Sequence, residues 1–361
     1  MIGEALENHS AKKGNTTALT SGGESIDYRE LNQRVVSLSH FLREQNVSSL
    51  ALELENGPDW IVADLAAVHS EVMLIPVPAY FSEEQNRHLM ESVHPDFAIG
   101  SSGARVPGLQ QAGLKMTGDT PSFSESAKIT FTSGSTGSPK GVILQHKKLE
   151  HVAESIVTAM SLLDVKKHLC LLPLATLLEN VAGVYAPILK GIEVVVPPPE
   201  ETGLSGSSQL DIEKFAQCIN THQPESVILV PQLLLALITL TEMGIVDTGS
   251  LKMIAVGGGK VSRRLLDRAA ELGLPVYEGY GLSEAGSVTT LNLPGQTKPG
   301  SVGKPLPHAA VRVSPEGEIE VSGTLMDGYL GGHTGFDDWY ATGDLGYIDE
   351  EGFVFISGRR D

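Results

Sequence analysis

The chain has 361 residues, more than twice a typical single-domain length, so one large or two to three packed units are expected. Hydrophobic residues make up 41% of the chain and glycine is frequent, which excludes a disordered or fibrous protein. The formal net charge of -18 excludes a whole-chain basic footprint, so no nucleic acid or anionic membrane surface is expected as a partner.

The N-terminus, the longest apolar stretch and the cysteines indicate the cellular compartment. The first ten residues lack the basic and apolar regions of a secretory signal. The longest apolar stretch, 227–240, is interrupted by Pro231 and is too short for a bilayer span, so none is expected. Cys170 and Cys218 lie in apolar segments, which favours buried free thiols over a disulfide or metal cluster. These features predict a cytoplasmic protein.

Helical and strand patterns alternate along most of the chain. Helices are predicted at 28–42, 58–70, 146–163, 177–190, 210–222, 232–243 and 262–273. Strands are predicted at 50–54, 72–77, 169–172, 192–196, 226–230 and 251–256. The alternation predicts an α/β fold whose largely parallel sheets are covered on both faces. Short alternating strands at 311–313, 317–321 and 353–356 then indicate a small antiparallel or barrel-like unit. Borders are placed near 199 and 293.

A loop suited to polyphosphate follows the apolar strand 129–131. Its glycines let the backbone close on an anion, its hydroxyls and amides can donate hydrogen bonds, and its lysine supplies positive charge. A proline precedes the lysine, so the loop is not a Walker A motif, and a surface linker would not lie between two apolar strands. The residues are Thr132, Ser133, Gly134, Ser135, Thr136, Gly137, Ser138, Pro139, Lys140 and Gly141.

A second glycine cluster, Gly257, Gly258 and Gly259, follows the strand that ends at 256. Ligands of open α/β sheets bind at the carboxyl ends of parallel strands, and backbone without side chains allows a flat base to approach. A plain tight turn explains this cluster equally well.

Residues 278–284 read Glu278, Gly279, Tyr280, Gly281, Leu282, Ser283 and Glu284. Tyr280 offers a free aromatic face for a base, and Glu284 is a hard oxygen ligand suited to magnesium. Farther on, Asp344 in a glycine turn can accept ribose hydroxyls, and Arg359 can donate to ribose or phosphate. A strand-end turn with a core tyrosine and an ordinary turn aspartate remain alternatives.

In this order and spacing, the five motifs resemble the adenylate-forming superfamily of acyl-CoA synthetases, luciferases and nonribosomal-peptide adenylation domains. The likeness runs from Ile26 to the last residue. It implies a large domain at 1–357, with approximate subdomains 1–199 (α/β), 200–293 (α/β) and 294–357 (a small distorted antiparallel β-barrel), and a hinge that starts at 358–361. It also implies two steps, in which a carboxylate attacks the α-phosphate of ATP to form acyl-AMP, and a thiol then displaces AMP.

The resemblance assigns roles to individual residues. Thr132 to Lys140 would hold the β- and γ-phosphates, Glu278 would accept from the adenine amine, and Ile356 would pack near the base. Lys140, Ser283 and Glu284 would serve catalysis, Ser283 at the α-phosphate and Glu284 at magnesium. The remaining nucleotide contacts would come from Gly257, Gly258, Gly259, Gly279, Tyr280 and Gly281 at adenine and from Asp344 and Arg359 at ribose.

The resemblance implies ATP-dependent ligation of a carboxylic acid, expected to be a fatty acid, to coenzyme A. The alternatives are transfer to an acyl carrier protein and a catalytically impaired module that binds nucleotide or acyl-adenylate. The impaired module is an alternative because the family's small C-terminal domain carries a catalytic lysine, and no residue up to Asp361 matches that lysine. Thr176 stands where long-chain acyl-CoA synthetases usually have histidine.

Two further assignments are weighed against structural roles. His146 matches a histidine of the family, but a role at the start of a helix is favoured. Four apolar residues after Pro231 can wall an acyl pocket, although core packing is favoured: Leu233, Leu234, Leu237 and Ile238.

Overall fold

The computed structural model describes residues 1–118, 126–132, 139–205, 209–332 and 338–360. A π-helix, Leu178–Tyr185, runs directly into α6, and a 3₁₀ turn spans Ser283–Ala285. The α-helices are α1 (Ile2–Lys13), α2 (Tyr28–Glu44), α3 (Pro58–Ser70), α4 (Glu83–Val93), α5 (His146–Ala159), α6 (Ala186–Lys190), α7 (Pro199–Thr202), α8 (Ile212–His222), α9 (Pro231–Glu242) and α10 (Arg263–Glu271).

The strands up to residue 195 are β1 (Thr17–Ser21), β2 (Glu24–Asp27), β3 (Ser49–Glu53), β4 (Met73–Pro76), β5 (Phe97–Gly100), β6 (Ala104–Arg105), β7 (Gly113–Met116), β8 (Ala127–Thr132), β9 (Lys140–Gln145), β10 (Lys167–Leu169) and β11 (Glu193–Val195). The later strands are β12 (Leu204–Ser205), β13 (Gln209–Leu210), β14 (Ser226–Leu229), β15 (Met253–Val256), β16 (Val276–Leu282), β17 (Ser287–Leu291), β18 (Lys304–Pro305), β19 (Ala310–Val313), β20 (Glu318–Ser322), β21 (Gly328–Tyr329), β22 (Tyr340–Ile348) and β23 (Val354–Arg359).

Three main sheets organise the molecule. One has eight described strands in the order β21-β9-β8-β4-β3-β5-β7-β6, and the other large sheet has nine, β18-β17-β16-β15-β14-β10-β11-β1-β2. In the nine-stranded sheet, β1, β11, β10, β14, β15 and β16 run parallel. The smaller sheet, β19-β20-β22-β23, is antiparallel. The predicted α/β class with its antiparallel unit is confirmed.

The chain crosses between the large sheets more than once. The hairpin β1–β2 joins the nine-stranded sheet through β11, and β10 belongs to the same sheet. The border placed near residue 199 therefore does not separate the two sheets. The reason is that the strand order follows parallel pairing between distant segments rather than the order of the chain.

The helix at 28–42 shows why the periodic segments were predictable. The Asp27 carboxylate accepts a hydrogen bond from the Glu30 amide at 2.8 Å and caps α2, and the apolar residues at three- and four-residue steps are buried. α1 buries only Ile2 and Leu6, and α4 only Leu89 and Val93. So few apolar positions leave no pattern to detect.

A separate apolar cluster lies around α8, α9 and α10. It contains the four apolar residues of α9 that the sequence analysis named, Leu233, Leu234, Leu237 and Ile238, so their core role is confirmed. Cys170 and Cys218 are both free and buried, as predicted. Burial raises the pKa of the Cys170 thiol well above its usual value, and that of Cys218 to about 12. Both thiols are therefore protonated and unreactive at neutral pH. No helix in the described part of the chain is long and apolar enough to cross a bilayer.

Candidate active site

The predicted base-binding segments meet at the carboxyl edge of the nine-stranded sheet. β15 ends at Val256, which pairs with Glu278 on β16, so the glycines that follow β15 lie beside the segment 278–284. Gly258 has φ +73°, the left-handed region that glycine adopts without strain. The topology thus brings together two motifs that are about twenty positions apart in the sequence, as expected for a parallel sheet.

Tyr280 and Asp344 are in direct contact. The Tyr280 hydroxyl donates to Asp344 Oδ2 at 2.6 Å, and burial raises the pKa of Tyr280. Asp344 also pairs with Arg359 across the β22–β23 ladder, with Arg359 Nη1 3.8 Å from Asp344 Oδ1. Arg359 is 77% exposed, so its guanidinium remains accessible to a ligand. The residues proposed for base and for ribose therefore form one connected cluster.

A second cluster links Lys140 to Glu284 through Tyr329, which the sequence analysis did not single out. Lys140 Nζ lies 5.7 Å from the centre of the Tyr329 ring, and the Tyr329 hydroxyl donates to Glu284 Oε1 at 2.8 Å. Thr132 lies opposite Lys140 in the β8–β9 ladder. Nothing local marks Tyr329 in the sequence, because it reaches Glu284 only through the pairing of β21 with β9. Ser133, Gly134, Ser135, Thr136 and Gly137 lie outside the described residues.

Glu278 is buried on β16 without a cation within ion-pair distance among the described residues. Its Oε2 accepts from the Gly300 amide at 3.1 Å, and burial raises its pKa to about 7. A carboxyl group of this kind is partly protonated near neutral pH. Its placement beside Val256 is compatible with the proposed contact to the adenine amine.

Gly281 has a packing reason of its own. A Cβ at this position would lie 1.6 Å from the Ser287 carbonyl oxygen, because β16 and β17 approach closely at a register shift. The glycine is therefore required by the hairpin whatever binds next to it.

Ile356, which the resemblance places near the base, packs with Ile319, Val321 and Val354 in the small sheet's core.

The turn that carries Asp344 is held by Glu318, another residue that the sequence analysis missed. Gly343 has φ +78°, and its amide donates to Glu318 Oε1 at 2.8 Å. Arg360 Nη1 donates to Glu318 Oε2 at 2.7 Å. These contacts hold the pKa of Glu318 below its usual value, so its carboxylate stays charged and keeps the turn closed.

An apolar cavity of about 260 Å³ opens beside this edge of the sheet. Gly257, Gly258, Tyr280 and Ser283 line it at the nucleotide side, and Ile156, Met160 and Leu178 line its walls. Thr176 also lines the cavity, with its hydroxyl donating to the Pro173 carbonyl at 2.7 Å. The cavity meets the proposed nucleotide cluster at Tyr280, where a reacting carboxylate would have to lie.

His146 is the first residue of α5 and is buried. Its Nε2 lies 2.8 Å from the Val72 carbonyl, and burial lowers its pKa to about 4. The role at a helix start is confirmed, because the ring is committed to a backbone contact inside the core.

His168, Cys170 and Glu179 bring three potential metal-ligating atoms within 4.8 Å of one another. His168 Nε2 lies 2.7 Å from Glu179 Oε1, and Glu179 Oε2 accepts from the Leu172 amide at 3.0 Å. Burial, reinforced by Glu179, raises the pKa of the Cys170 thiol. His168 contacts both Ser226 and Glu179, and Glu179 is also held by the Leu172 amide, so these side chains form a buried hydrogen-bonded cluster.

Glu284 has the chemistry expected of a magnesium ligand. Mg²⁺ is usually held by one or two carboxylates together with substrate phosphates rather than by a full protein cage. One Glu284 oxygen accepts from Tyr329, whose ring lies against Lys140, and Glu284 is only partly buried. The donor set fits a cation that is completed by phosphate oxygens.

Residues 6–330 match the family described as AMP-binding enzyme. This chain belongs to the AMP-binding enzyme family. The match covers most of the chain and includes residues 132–141, the glycines 257–259 and the segment 278–284.

Curated relatives in this family are acid–CoA ligases. The chain is 26% identical over 367 residues to the 2-succinylbenzoate–CoA ligase of Bacillus pumilus (strain SAFR-032), covering 92% of this chain and 73% of the relative. It is 29% identical over 250 residues to the enzyme of that name from Listeria monocytogenes, covering 67% of this chain and 51% of the relative. The aligned regions thus span about half to three quarters of these relatives.

Solved structures of AMP-binding enzymes share the fold. The anthranilate CoA ligase AuaEII in complex with anthranoyl-AMP superposes with a TM-score of 0.83 at 18% identity, covering 99% of this chain and 77% of that one. The o-succinylbenzoate CoA synthetase of Bacillus subtilis, in complex with its acyl-adenylate intermediate, gives 0.79 at 22% identity, covering 99% and 78%. The parallel sheets and the small antiparallel sheet are therefore the architecture of adenylate-forming ligases.

Proposed function

We propose that this protein activates a carboxylic acid with ATP to form acyl-AMP and pyrophosphate, and that the acyl group then passes to coenzyme A. The observation that carries the proposal is the contact between Tyr280 and Asp344 at the mouth of an apolar cavity. Tyr280 offers an aromatic face for adenine and Asp344 a carboxylate for ribose, while the cavity offers space for an acid. The names of the curated relatives support the same class of reaction.

The reaction needs alignment and charge neutralisation more than a side-chain nucleophile, because the substrate carboxylate itself attacks the α-phosphorus. Asp344 and Tyr280 hold the nucleoside at the sheet edge. Lys140 places an exposed ammonium group beside the same edge, where it offsets charge on the pyrophosphate that leaves. Ser283 lines the cavity, and its proposed role is to contact the α-phosphate.

Magnesium, when bound, would neutralise phosphate charge, with Glu284 as the protein ligand. The contact from Tyr329 orients the Glu284 carboxylate, and Tyr329 itself lies against Lys140. The chain's own part is thus to position one carboxylate at the Tyr329 hydroxyl and one ammonium group against the Tyr329 ring.

The class of acid proposed here is broader than the fatty acid that the sequence analysis expected. The cavity walls are largely apolar, which suits either an alkyl or an aryl acid. The reported relatives are named for 2-succinylbenzoate, which favours an aryl or substituted acid. Transfer to an acyl carrier protein has no support among these relatives, so coenzyme A is the proposed acceptor.

The test compares Asp344→Ala with Tyr280→Phe, which removes the hydroxyl contact but keeps the aromatic ring and Asp344. Calorimetry with AMP should show a loss of about ten- to hundredfold for Asp344→Ala and a smaller loss for Tyr280→Phe. Pyrophosphate affinity should change little in either variant. Equal losses for AMP and pyrophosphate would point to a collapsed site and would contradict the proposal, as would unchanged AMP affinity in Asp344→Ala.

A further inference from the structure

One wall of the apolar cavity is formed by the π-helix and by α6, which continues it. Leu178, Ala182 and Ala186 line the cavity, so one face of this continuous helix is turned toward the proposed acid site. A π-helix bonds each amide to the carbonyl five positions before it, and it is a rare form that is frequent at functional sites. Here the Ala186 amide donates to the Val181 carbonyl. The form of this segment therefore decides which side chains face the acid.

A different face of the π-helix holds a buried ion pair. Asp64 of α3 is fully buried and Lys128 of β8 is 1% exposed, and Lys128 Nζ lies 2.7 Å from Asp64 Oδ1. Asn180 Nδ2 donates to Asp64 Oδ2 at 2.7 Å, and the Tyr185 hydroxyl donates to Asp64 Oδ1 at 3.0 Å. Lys128 Nζ donates to the Tyr185 hydroxyl at 2.9 Å and to Asn180 Oδ1. We call these four residues the buried network.

The spacing of the two helical members of the buried network matches the π form. Asn180 and Tyr185 are five positions apart, and both contact the same ion pair. In an α-helix, residues five positions apart point roughly 140° away from each other around the axis. In a π-turn they lie on the same side, one turn apart. Because a buried charge with a complete set of partners is costly to disturb, the ion pair favours the helical form that lets both side chains reach it.

The helix itself carries two residues that permit this form. Pro187 has no amide hydrogen, so it cannot make the α-helical bond to the Gly183 carbonyl four positions before it. That carbonyl instead accepts from the Cys170 thiol, with the sulfur 3.7 Å away. A Cβ at Gly183 would lie 2.0 Å from Glu179 Oε1, so close packing requires glycine there. These features interrupt the α-helical pattern, whereas the buried network fixes which face of the segment turns inward.

We propose that the buried network holds segment 178–185 in its π-helical form and thereby shapes the wall against which the acid binds. The inference rests on the proposed function, because it concerns the acid of the same reaction. The members of the network are then positioning residues that act through the cavity wall. When the network is weakened, the segment moves toward α-helical spacing, which rotates Leu178 and Ala182 relative to Ala186. The acid then fits the cavity less well.

The nucleotide side of the site should keep its geometry when the network is weakened. Tyr280 and Asp344, the residues proposed for base and ribose, lie on β16 and β22 and contact each other. The network does approach the proposed phosphate loop, because Lys128 lies four positions before Thr132 on β8. AMP lacks the β- and γ-phosphates that this loop is proposed to hold, so AMP is the suitable reference ligand. The loss should therefore be confined to the acyl part of an acyl-adenylate.

The experiment measures two affinities of the whole chain by calorimetry, one for AMP and one for acyl-sulfamoyl adenosines that carry a benzoyl, a 2-succinylbenzoyl or a dodecanoyl group. Their ratio gives the contribution of the acyl group. Tyr185→Phe and Asn180→Ala should each lower this ratio by about five- to tenfold for the mimic that the wild type binds best, while AMP affinity changes by less than about twofold. Ser49→Ala removes another buried hydroxyl, which donates to Asp96 Oδ1 at 2.8 Å, and should leave the ratio unchanged.

Hydrogen exchange of the free protein tests the anchoring of the helix without a ligand. The amides of 178–190 should exchange about fivefold faster or more in Tyr185→Phe and Asn180→Ala than in the wild type, and those of α9 should not. An unchanged affinity ratio in both variants, with or without faster exchange, would overturn the inference. So would an equal loss of affinity for AMP and for the mimic. If the wild type binds no mimic more tightly than AMP, the proposed function itself fails, and the role of the network in acid binding fails with it.

Discussion

Lys128 and Lys140 lie on the two strands of one hairpin, β8 and β9, and have opposite environments. Lys128 is 1% exposed, and its Nζ lies 2.7 Å from Asp64 Oδ1 and 2.9 Å from the Tyr185 hydroxyl, with a further contact to Asn180. Burial lowers the pKa of Lys128, and Asp64 opposes this shift. Lys140 is exposed, and within the part of the chain that the structure describes its ammonium group lies against the ring of Tyr329.

The contrast shows how environment assigns a lysine to stability or to binding. The ammonium of Lys128 is saturated by partners inside the protein and has nothing left for a ligand. That of Lys140 is exposed, and we propose that it binds phosphate. A buried charge with a complete set of partners is costly to disturb, whereas an exposed one contributes little to folding.

Lys128→Met should lower the free energy of unfolding by about 3–5 kcal/mol, because it leaves Asp64 buried without its cation. Urea unfolding followed by circular dichroism measures the effect. Lys140→Ala is the matched control on the same hairpin and should cost about 0.5 kcal/mol or less. Adding Asp64→Asn to Lys128→Met should recover part of the loss. Similar losses for the two lysines would contradict the division of roles.

Glu278 is buried like Lys128 but lacks a cation partner. Its pKa rises from 4.5 to about 7 in the folded protein, so the folded state holds a proton that the unfolded chain has lost between these values. Stability should therefore fall as the pH rises through that window. Glu278→Gln should remove this dependence and stabilise the protein above pH 7 by up to about 3 kcal/mol.

The measurement for Glu278 is urea unfolding at a series of pH values between 4 and 8. Glu316→Gln removes an exposed glutamate and controls for the loss of one negative charge. A wild-type stability that does not decline across the window, or an equal response in both variants, would show that Glu278 is ionised without cost.

Lys140→Ala should weaken ATP binding by about ten- to hundredfold, because it removes a charge-assisted contact to phosphate while the fold is kept. Isothermal calorimetry with ATP and magnesium measures this loss, and Lys147→Ala, on the exposed start of α5, is the control of equal charge. ATP binding as tight as that of the wild type would exclude Lys140 from the phosphate site.

Tyr329→Phe should have the smallest effect. It removes the hydroxyl that contacts Glu284 and Tyr340 but keeps the ring beneath Lys140. A stability loss of about 1 kcal/mol and a smaller ATP defect than that of Lys140→Ala are expected. If the ATP defect instead equals that of Lys140→Ala, orientation of Glu284 by this hydroxyl matters as much as the lysine charge.

The sequence alone indicated the α/β class, most periodic helices, the antiparallel unit and the motifs around Lys140, Tyr280 and Asp344. These features depend on residues close together in the chain: apolar spacing, capping pairs such as Asp27 with Glu30, and glycines at strand ends. Such local patterns also carried the family resemblance, which the match over residues 6–330 confirmed. Helices with few buried residues, such as α1, carried no such pattern.

The tertiary structure decided which side chains meet across the sheets. Asp64 with Lys128, Glu284 with Tyr329 and His168 with Ser226 are each more than forty positions apart, and their contacts follow from strand order and register. Nothing local in the sequence distinguishes the buried Lys128 from the exposed Lys140, since each lies in the first two positions of a strand that is otherwise largely apolar. Burial and partner geometry are properties of the packed sheets, and they determine which polar groups stabilise the fold and which remain available to a ligand.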